Sequence, residues 1–381
     1  MRLYATTWAL LALILGTLLP GPLHAQGIGA GTVIQTYRFD DPGAAGLERI
    51  QLITSPFAIA APLGSTFSLN VSGAYARGTA TGPGGEQVTL EGLTDTYVGL
   101  NAGVGLDWLV ISAGATLPTG TYTHSLAESL IAGVVAAELL PFAIQTWGSG
   151  GSVGGTVAAV TQAGSWGVGF VGGYSVANEY EPLRDQTLAY RPGDQLQFRV
   201  ALDRDVGGSG TLSVLLGFQS FGNDQVSGSE LFRSGNRFEG TLSYAFAVGL
   251  RSSALVYGGV KHRANGSLLQ QASAVGGATD SPSQQLFTAG TNVRFPIGRR
   301  SVLLPNAEIR VFRAEDGASQ GWLTSVGTTY DVRIAGSNSG RRLMLAPTAQ
   351  FRIGRVIVQQ GVETGLIGWE AGIALRVEFG R

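Results

Sequence analysis

The chain has 381 residues, of which 58 are glycine, none is cysteine and only 13% are charged. An average soluble domain is about 25% charged and about 7% glycine, so this chain has roughly half the usual charge and twice the usual glycine. With 44% hydrophobic residues it is not a disordered polymer, because disorder goes with high charge and low hydrophobicity. The glycines also lack the period of three that collagen requires. The missing cysteines exclude disulfides, thiol catalysis and a lipoprotein anchor. The formal net charge is −1. Nucleic acid is therefore not an expected partner, since it demands a concentrated basic surface.

In chain order, residues 1–25 come first. Arg2 precedes an apolar run from Trp8 to Leu15, a Pro20-Gly21-Pro22 break and the end Leu23-His24-Ala25. This pattern predicts a removable export signal with Gln26 as the new N-terminus. The apolar core is too short for a comfortable membrane span. Residues 26–381 then read as one domain. Removing the leader takes away only Arg2 and leaves 24 basic against 26 acidic residues.

From residue 28 onward, alternation with a period of two dominates, which is the signature of strands. It predicts strands near 28–39, 48–61, 64–77, 92–104, 106–117, 151–161, 165–177, 193–205, 208–221, 235–249, 252–264, 283–297, 301–314, 320–334, 341–354 and 366–379. The last of these puts Trp369, Ala371, Ile373, Leu375 and Val377 on one face and Glu370, Gly372, Ala374, Arg376 and Glu378 on the other. A soluble sandwich and a membrane barrel share that alternation. Connection lengths separate them. The links at 62–64, 105, 162–164, 206–207, 250–251 and 298–300 are tight, whereas 78–91, 118–150, 178–192, 222–234 and 265–282 are long. A transmembrane barrel has this beat of short and long links, and a Greek-key sandwich does not. Tyr37, Phe39, Tyr75, Tyr97, Trp108, Trp166, Tyr174, Phe221, Trp322, Tyr330, Trp369 and Phe379 fall near strand ends, as girdle aromatics do. The fold predicted is all-β, a single antiparallel up-and-down barrel of about 16 strands, with 14 also open.

At this point the sequence resembles a Gram-negative outer-membrane β-barrel. The most specific piece is the C-terminal strand ending in Phe379, which is similar to the assembly signal of that class, although Gly380 and Arg381 follow it. The resemblance implies outer-membrane lipid and the barrel-assembly machinery as partners. Gly92-Leu93-Thr94-Asp95-Thr96-Tyr97-Val98-Gly99-Leu100 and Ala115-Thr116-Leu117-Pro118-Thr119-Gly120 resemble barrels associated with phenol-degradation pathways. That likeness implies passage of small aromatic or apolar solutes. The Asn-Pro-Ala hatch motif of the long-chain fatty-acid transporters is not found.

Alternation places a set of charges in the lumen: Asp95, Arg199, Asp203, Arg237, Glu239, Arg294, Glu308, Arg310, Asp331, Arg333, Arg352, Glu370, Arg376 and Glu378. Two readings compete. One is a transverse field that orients polar solutes. The other is salt-bridged filling, because buried charges must be paired. Their balance argues against strong ion selectivity. In the loop 118–150, Ser125 and Glu128 form a capping-box pattern, and a helical run continues to Leu140 before Pro141. Leu126, Leu130, Val134 and Ala137 recur at helical spacing, while Glu128 and Glu138 interrupt the run. Glu128, Leu130, Val134 and Glu138 are the candidates for a constriction if this helix folds inward. Outer-loop carboxylates at Glu179, Glu181, Asp185, Asp194, Asp224, Glu230 and Asp316 either bridge divalent ions to lipopolysaccharide or are merely solvated. His124, beside Ser125, and His262 are the histidines of the mature chain. Neither has a triad pattern, so catalysis is not expected. No metal-ligand spacing or nucleotide fingerprint is found, and no cofactor is expected. The function expected is an outer-membrane channel for passive uptake of small solutes, apolar or aromatic ones among them. The alternative is a structural or surface-binding barrel with a closed, salt-bridged lumen. A barrel enzyme is third.

Overall fold

The structure is a computed structural model that describes residues 27–208, 210–268, 283–314, 317–336, 340–357 and 362–378. The expected leader, Asp316 and the segment 379–381 lie outside the described residues.

The chain opens with β1 (Gly27–Phe39), a helical turn α1 (Pro42–Ala45), β2 (Arg49–Leu63) and β3 (Phe67–Thr81). It continues through β4 (Gln87–Leu93), β5 (Thr96–Gly103), β6 (Leu109–Leu117) and the helix α2 (Leu126–Ala136). Then come β7 (Ser152–Ala163), β8 (Trp166–Ala177), β9 (Tyr190–Arg191), β10 (Gln195–Val206), β11 (Gly210–Phe221), β12 (Asn223–Val226) and β13 (Ser229–Arg233). The second half holds β14 (Arg237–Val248), β15 (Ser252–Arg263), β16 (Ser267–Leu268), β17 (Gln284–Ile297) and β18 (Ser301–Ala314). It ends with β19 (Ser319–Gly336), β20 (Arg342–Ile357) and β21 (Glu363–Glu378).

Neighbouring strands pair antiparallel. β1 pairs with both β2 and β21, so the sheet closes on itself and has no free edge. β4 and β5 take successive stretches of β3, the first at Tyr75–Thr81 and the second at Phe67–Ser72. They act as one broken strand, which makes a barrel of sixteen. Gly64, Gly105, Gly164, Gly207, Gly249 and Gly298 sit at positive φ in the tight turns of one rim. That conformation is open to glycine at no steric cost. The long connections all emerge at the other rim. Four short strands there, β9, β12, β13 and β16, form a second small sheet. The 78–91 stretch expected as a loop is a strand extension instead. Alternation continues there with Val88 and Leu90 inward, and β4 pairs residue by residue with the top of β3.

Side chains alternate across the wall. Val326, Leu242, Phe351, Ile373 and Leu375 point outward, each between 45% and 58% exposed. An apolar belt of this extent is a liability in water and is the outer surface expected of a barrel that crosses a membrane. Charges on the outer face occur at the rims, as in the pairs Arg77–Glu91 and Arg355–Glu363 at the long-loop rim and Arg204 over the Trp166 ring at the tight-turn rim. The girdle expectation needs correction at four aromatics. Tyr37 and Phe39 face the interior and are buried. Tyr97 lies over the inward glycines Gly99 and Gly114, and Phe221 lies under the inward-facing Arg237. In each case the register places the residue on the interior row, and proximity to a strand end does not encode which face a residue takes.

Sixteen-stranded barrels ordinarily leave an aqueous channel. Here the apolar core sits inside that channel, towards the long-loop rim. Tyr37, Ile50, Leu52, Ala76, Leu90, Leu323 and Leu366 come from the wall, and Ile131, Val135, Leu139, Leu140 and Trp147 come from the loop between β6 and β7. Fully burying a Leu, Ile or Val side chain stabilises by about 1.5–3 kcal/mol. That is ample reason for this loop to lie inside the barrel and not in water.

Candidate functional site

The inner loop begins and ends at one carboxylate. Asp95, in the break between β4 and β5, accepts hydrogen bonds from Gly120 N at 3.0 Å, Ser149 N at 2.7 Å and Ser149 Oγ at 2.8 Å. Its own N–H donates to Trp147 O at 3.0 Å. Thr119 Oγ1 adds bonds to Thr96 N and Thr94 O at 2.9 and 3.1 Å. The Leu-Thr-Asp-Thr and Leu-Pro-Thr-Gly stretches are thus two halves of one clasp. The two ends of the loop abut: a Cβ on Gly120 would stand 2.1 Å from Trp147 O, and one on Gly148 would stand 3.1 Å from Tyr122 N. Only glycine permits that approach.

Within the loop, Ser125 caps α2. Its Oγ accepts from Glu128 N at 3.3 Å, and Glu128 returns a bond to Ser125 N at 2.7 Å, the reciprocal capping box. The helix ends at Ala136, earlier than the run to Leu140 predicts. Past it, Ala137 is extended, and Glu138 O accepts from Arg310 Nη1 on the wall at 3.1 Å. The buried face also differs from the expected one. Ile131 and Val135 pack onto the wall and Val134 flanks them, whereas Leu126 and Leu130 are about 70% exposed. A helix that is apolar all round does not announce which stripe will meet the wall. Trp147 is fully buried, donates to Ala76 O at 3.1 Å, and fits because Gly78 leaves room for its ring. The sequence reading missed it, although a lone tryptophan followed by Gly148, Gly150 and Gly151 is a visible signal of a packed anchor.

The start of the loop is tied to the next outer loop. His124 N donates to Pro182 O and His124 O accepts from Arg184 N, both at 2.9 Å. Glu128 pairs with Arg184 at 3.2 Å, and Thr123 Oγ1 donates to Glu181 O at 2.7 Å. Burial pushes the His124 pKa below the usual histidine value. The Ser125 N–H holds the Glu128 carboxyl below the usual carboxylate range. Tyr190 donates to Asp224 at 2.6 Å, and burial together with that carboxylate pushes the phenol well up. Asp224 also accepts from Gly193 N at 2.8 Å, so its carboxylate is engaged in building the loop. Neither His124 nor His262 hydrogen-bonds a serine or a carboxylate among the described residues.

The wall opposite β3 and β4 carries the charges, arranged by register into rows. One row runs Tyr257, Gly290, Glu308, Ser325, Arg352, Gly368, Tyr37 across successive strands. The row next to it runs Asn292, Asn306, Gly327, Gln350, Glu370, Gln35. Gly290 and Gly368 let Tyr257 and Tyr37 lie flat on the wall, since an added Cβ would stand 2.5 Å from Tyr257 Oη and 2.6 Å from the Tyr37 ring. Glu308 takes Arg310 at 2.7 Å and Tyr257 Oη at 2.6 Å. Arg352 pairs with Glu370 at 2.5 Å, bonds Gln350, and stands over the Tyr37 ring at 5.6 Å. Gln35 joins wall and loop. It donates to Glu370 and to Pro141 O, each at 2.8 Å, and accepts from Ala143 N at 2.7 Å. Beside Pro141 lies a cavity of about 260 Å³ lined by Tyr257, Asn292, Asn306, Glu308, Arg310, Ser325, Gln350 and Arg352.

The remaining lumen candidates are also inward by register but lie apart from this cavity. Arg199 pairs with Glu239 at 3.0 Å, and Arg237 stands over Phe221 at 5.2 Å. Arg376 pairs with Asp331 and lies 3.4 Å from Glu378. Arg294 and Arg333 lie nearer the tight-turn rim, on β17 and β19. Of the four constriction candidates, the Glu138 backbone and Val134 take part in seating the loop. Glu128 serves the cap and the neighbouring loop, and Leu130 faces away from the wall.

No family model matches the chain, and no curated protein matches it. Among solved structures it is similar to outer-membrane-expressed OmpT of Vibrio cholerae, with 11% identity and a TM-score of 0.41 over 92% of this chain and 98% of that one. It is similar to the CymD monoaromatic hydrocarbon channel at 9% identity and a TM-score of 0.40, over 94% and 90%. It is also similar to an outer-membrane channel from Pseudomonas putida F1 at 14% identity and a TM-score of 0.37, over 70% and 95%. The closed barrel of sixteen strands, apolar outside and ion-paired inside, gives this chain the architecture of a transmembrane β-barrel.

Proposed function

We propose that the protein is a passive channel for small solutes, narrowed by the inner loop between β6 and β7. The observation that carries this reading is the seated loop with a polar cavity left beside Pro141. Polar groups that line a lumen and are held in fixed positions are what a selective constriction requires. The exposed Leu126 and Leu130 on α2 add an apolar surface at the mouth, apart from the polar cavity. No catalytic role is assigned. Outer-membrane lipid along the apolar belt, lipopolysaccharide at the loops and the assembly machinery at the last strand are proposed as partners on chemistry alone.

A second reading is a closed structural barrel, favoured by the fully buried Tyr37, Ile50, Leu52 and Trp147 inside the lumen. Single-channel conductance in planar bilayers decides between them. The protein is refolded intact and with residues 121–147 replaced by a short glycine link, which the abutting loop ends can accept. The expected result is a small steady conductance that rises severalfold on excision. Silence in both forms, with the barrel folded, overturns the channel reading.

A further inference from the structure

We infer that the cavity beside Pro141 selects small, neutral, polyhydroxylated solutes. This rests on the channel reading and names the class of solute its constriction takes.

The argument is one of hydrogen-bonding capacity. Buried polar groups are satisfied, and whatever capacity is left open in a cavity defines what can enter it. The charges are occupied with one another. Both Glu308 oxygens are engaged, one by Arg310 at 2.7 Å and the other by Tyr257 at 2.6 Å. Arg352 directs Nη2 to Glu370 and Gln350. Its Nε and Nη1 have no hydrogen-bond partner among the described residues but are buried, with the guanidinium against the Tyr37 ring, a cation–π contact, so they present no surface to a solute. Each positive group has its own carboxylate, so an incoming ion would have to break a pair held in a partly desolvated site. The uncharged groups are different. Asn292 is exposed in the lumen and its amide makes no hydrogen bond among the described residues. Asn306, directly opposite it in register, uses only Oδ1, which accepts from Gln350 Nε2 at 3.1 Å. Among the uncharged groups, a whole amide on β17 and an amide N–H₂ on β18 are therefore open side by side. An amide donates and accepts at once, and so does a hydroxyl-rich solute. An aromatic hydrocarbon would leave these groups without partners, at a desolvation cost. The space of about 260 Å³ is open to the lumen and admits several waters, and so a solute with several hydroxyl groups.

Saturation-transfer NMR on the detergent-refolded full chain tests this, with xylitol, phenol and lactate as probes. The expected result is saturable transfer to xylitol, weaker for both other probes. Asn292→Ala and Asn306→Ala should each weaken xylitol binding by about fivefold, the effect of one hydrogen bond. Heat-modifiable gel mobility checks that each variant is folded. Stronger transfer to phenol or lactate overturns the inference, as does xylitol binding unchanged in both folded variants. Conductance without xylitol binding removes this inference and leaves the channel reading standing. Xylitol binding that depends on Asn292, without conductance, does the reverse.

Discussion

Asp95 carries the mouth of the inner loop on one side chain. Its three accepted bonds are charge-assisted, and such bonds are worth roughly 1.5–3 kcal/mol each. Asp95→Ala should weaken loop seating by about 3 kcal/mol, close to a hundredfold in the docked fraction. The barrel itself should fold, because the paired strands do not depend on that carboxylate. The measurement is proteolysis of the loop in refolded protein, with barrel formation followed by gel mobility. A loop as resistant as in the parent would show that apolar burial alone holds it. Asp95 was legible as an inward carboxylate, since alternation gives its side. Its role was not, because the groups it binds lie far along the chain at Gly120 and Ser149.

At the scale of elements, α2 is anchored at its N-terminus by two titratable groups that act in the same direction. The lowered Glu128 pKa means that its contribution is present above the ordinary carboxylate range and is lost as pH falls through the depressed value. The lowered His124 pKa means that the seated loop holds a neutral imidazole. The released form takes up a proton first, so stability is again lost as pH falls below the usual histidine value. Protection from hydrogen exchange over residues 122–136, taken relative to the intrinsic exchange rate at each pH, should therefore fall between about pH 7 and about pH 4, and Glu128→Gln should lower it already at the upper end. Protection that stays constant across that range would exclude the anchor as acid-labile. The strands themselves were readable because a period of two survives any packing arrangement. The helix was readable at its start, where the capping box is local. Its end and its buried stripe were not, because Arg310 and the β3–β4 wall decide them.

For the whole molecule, closure and loop seating share one surface. Gln35 of β1 bonds Glu370 of β21 across the seam and bonds the loop at Pro141 and Ala143. Gln35→Leu should lower the heat resistance of the folded barrel and loosen the loop together, by roughly 2–4 kcal/mol in sum, since two partners on the loop lose their bonds. Thermal unfolding followed by gel mobility, with loop proteolysis in parallel, checks this, and a change in only one of the two readouts would show that they are independent. Sixteen strands and inward charges were foreseeable from the alternation and the beat of connection lengths. The interior core was not, since a loop's destination is written in burial and not in period.

That shared seam also has a consequence in time. β1 is the first barrel strand made and β21 the last, so Gln35 meets Glu370 only when the ends of the chain meet. Pairing across such a span is slow to form. The loop, made much earlier, has no complete floor to rest on until then. The expected order is therefore a wide ring first and a narrowed one afterwards, so that seating of the loop marks the end of assembly.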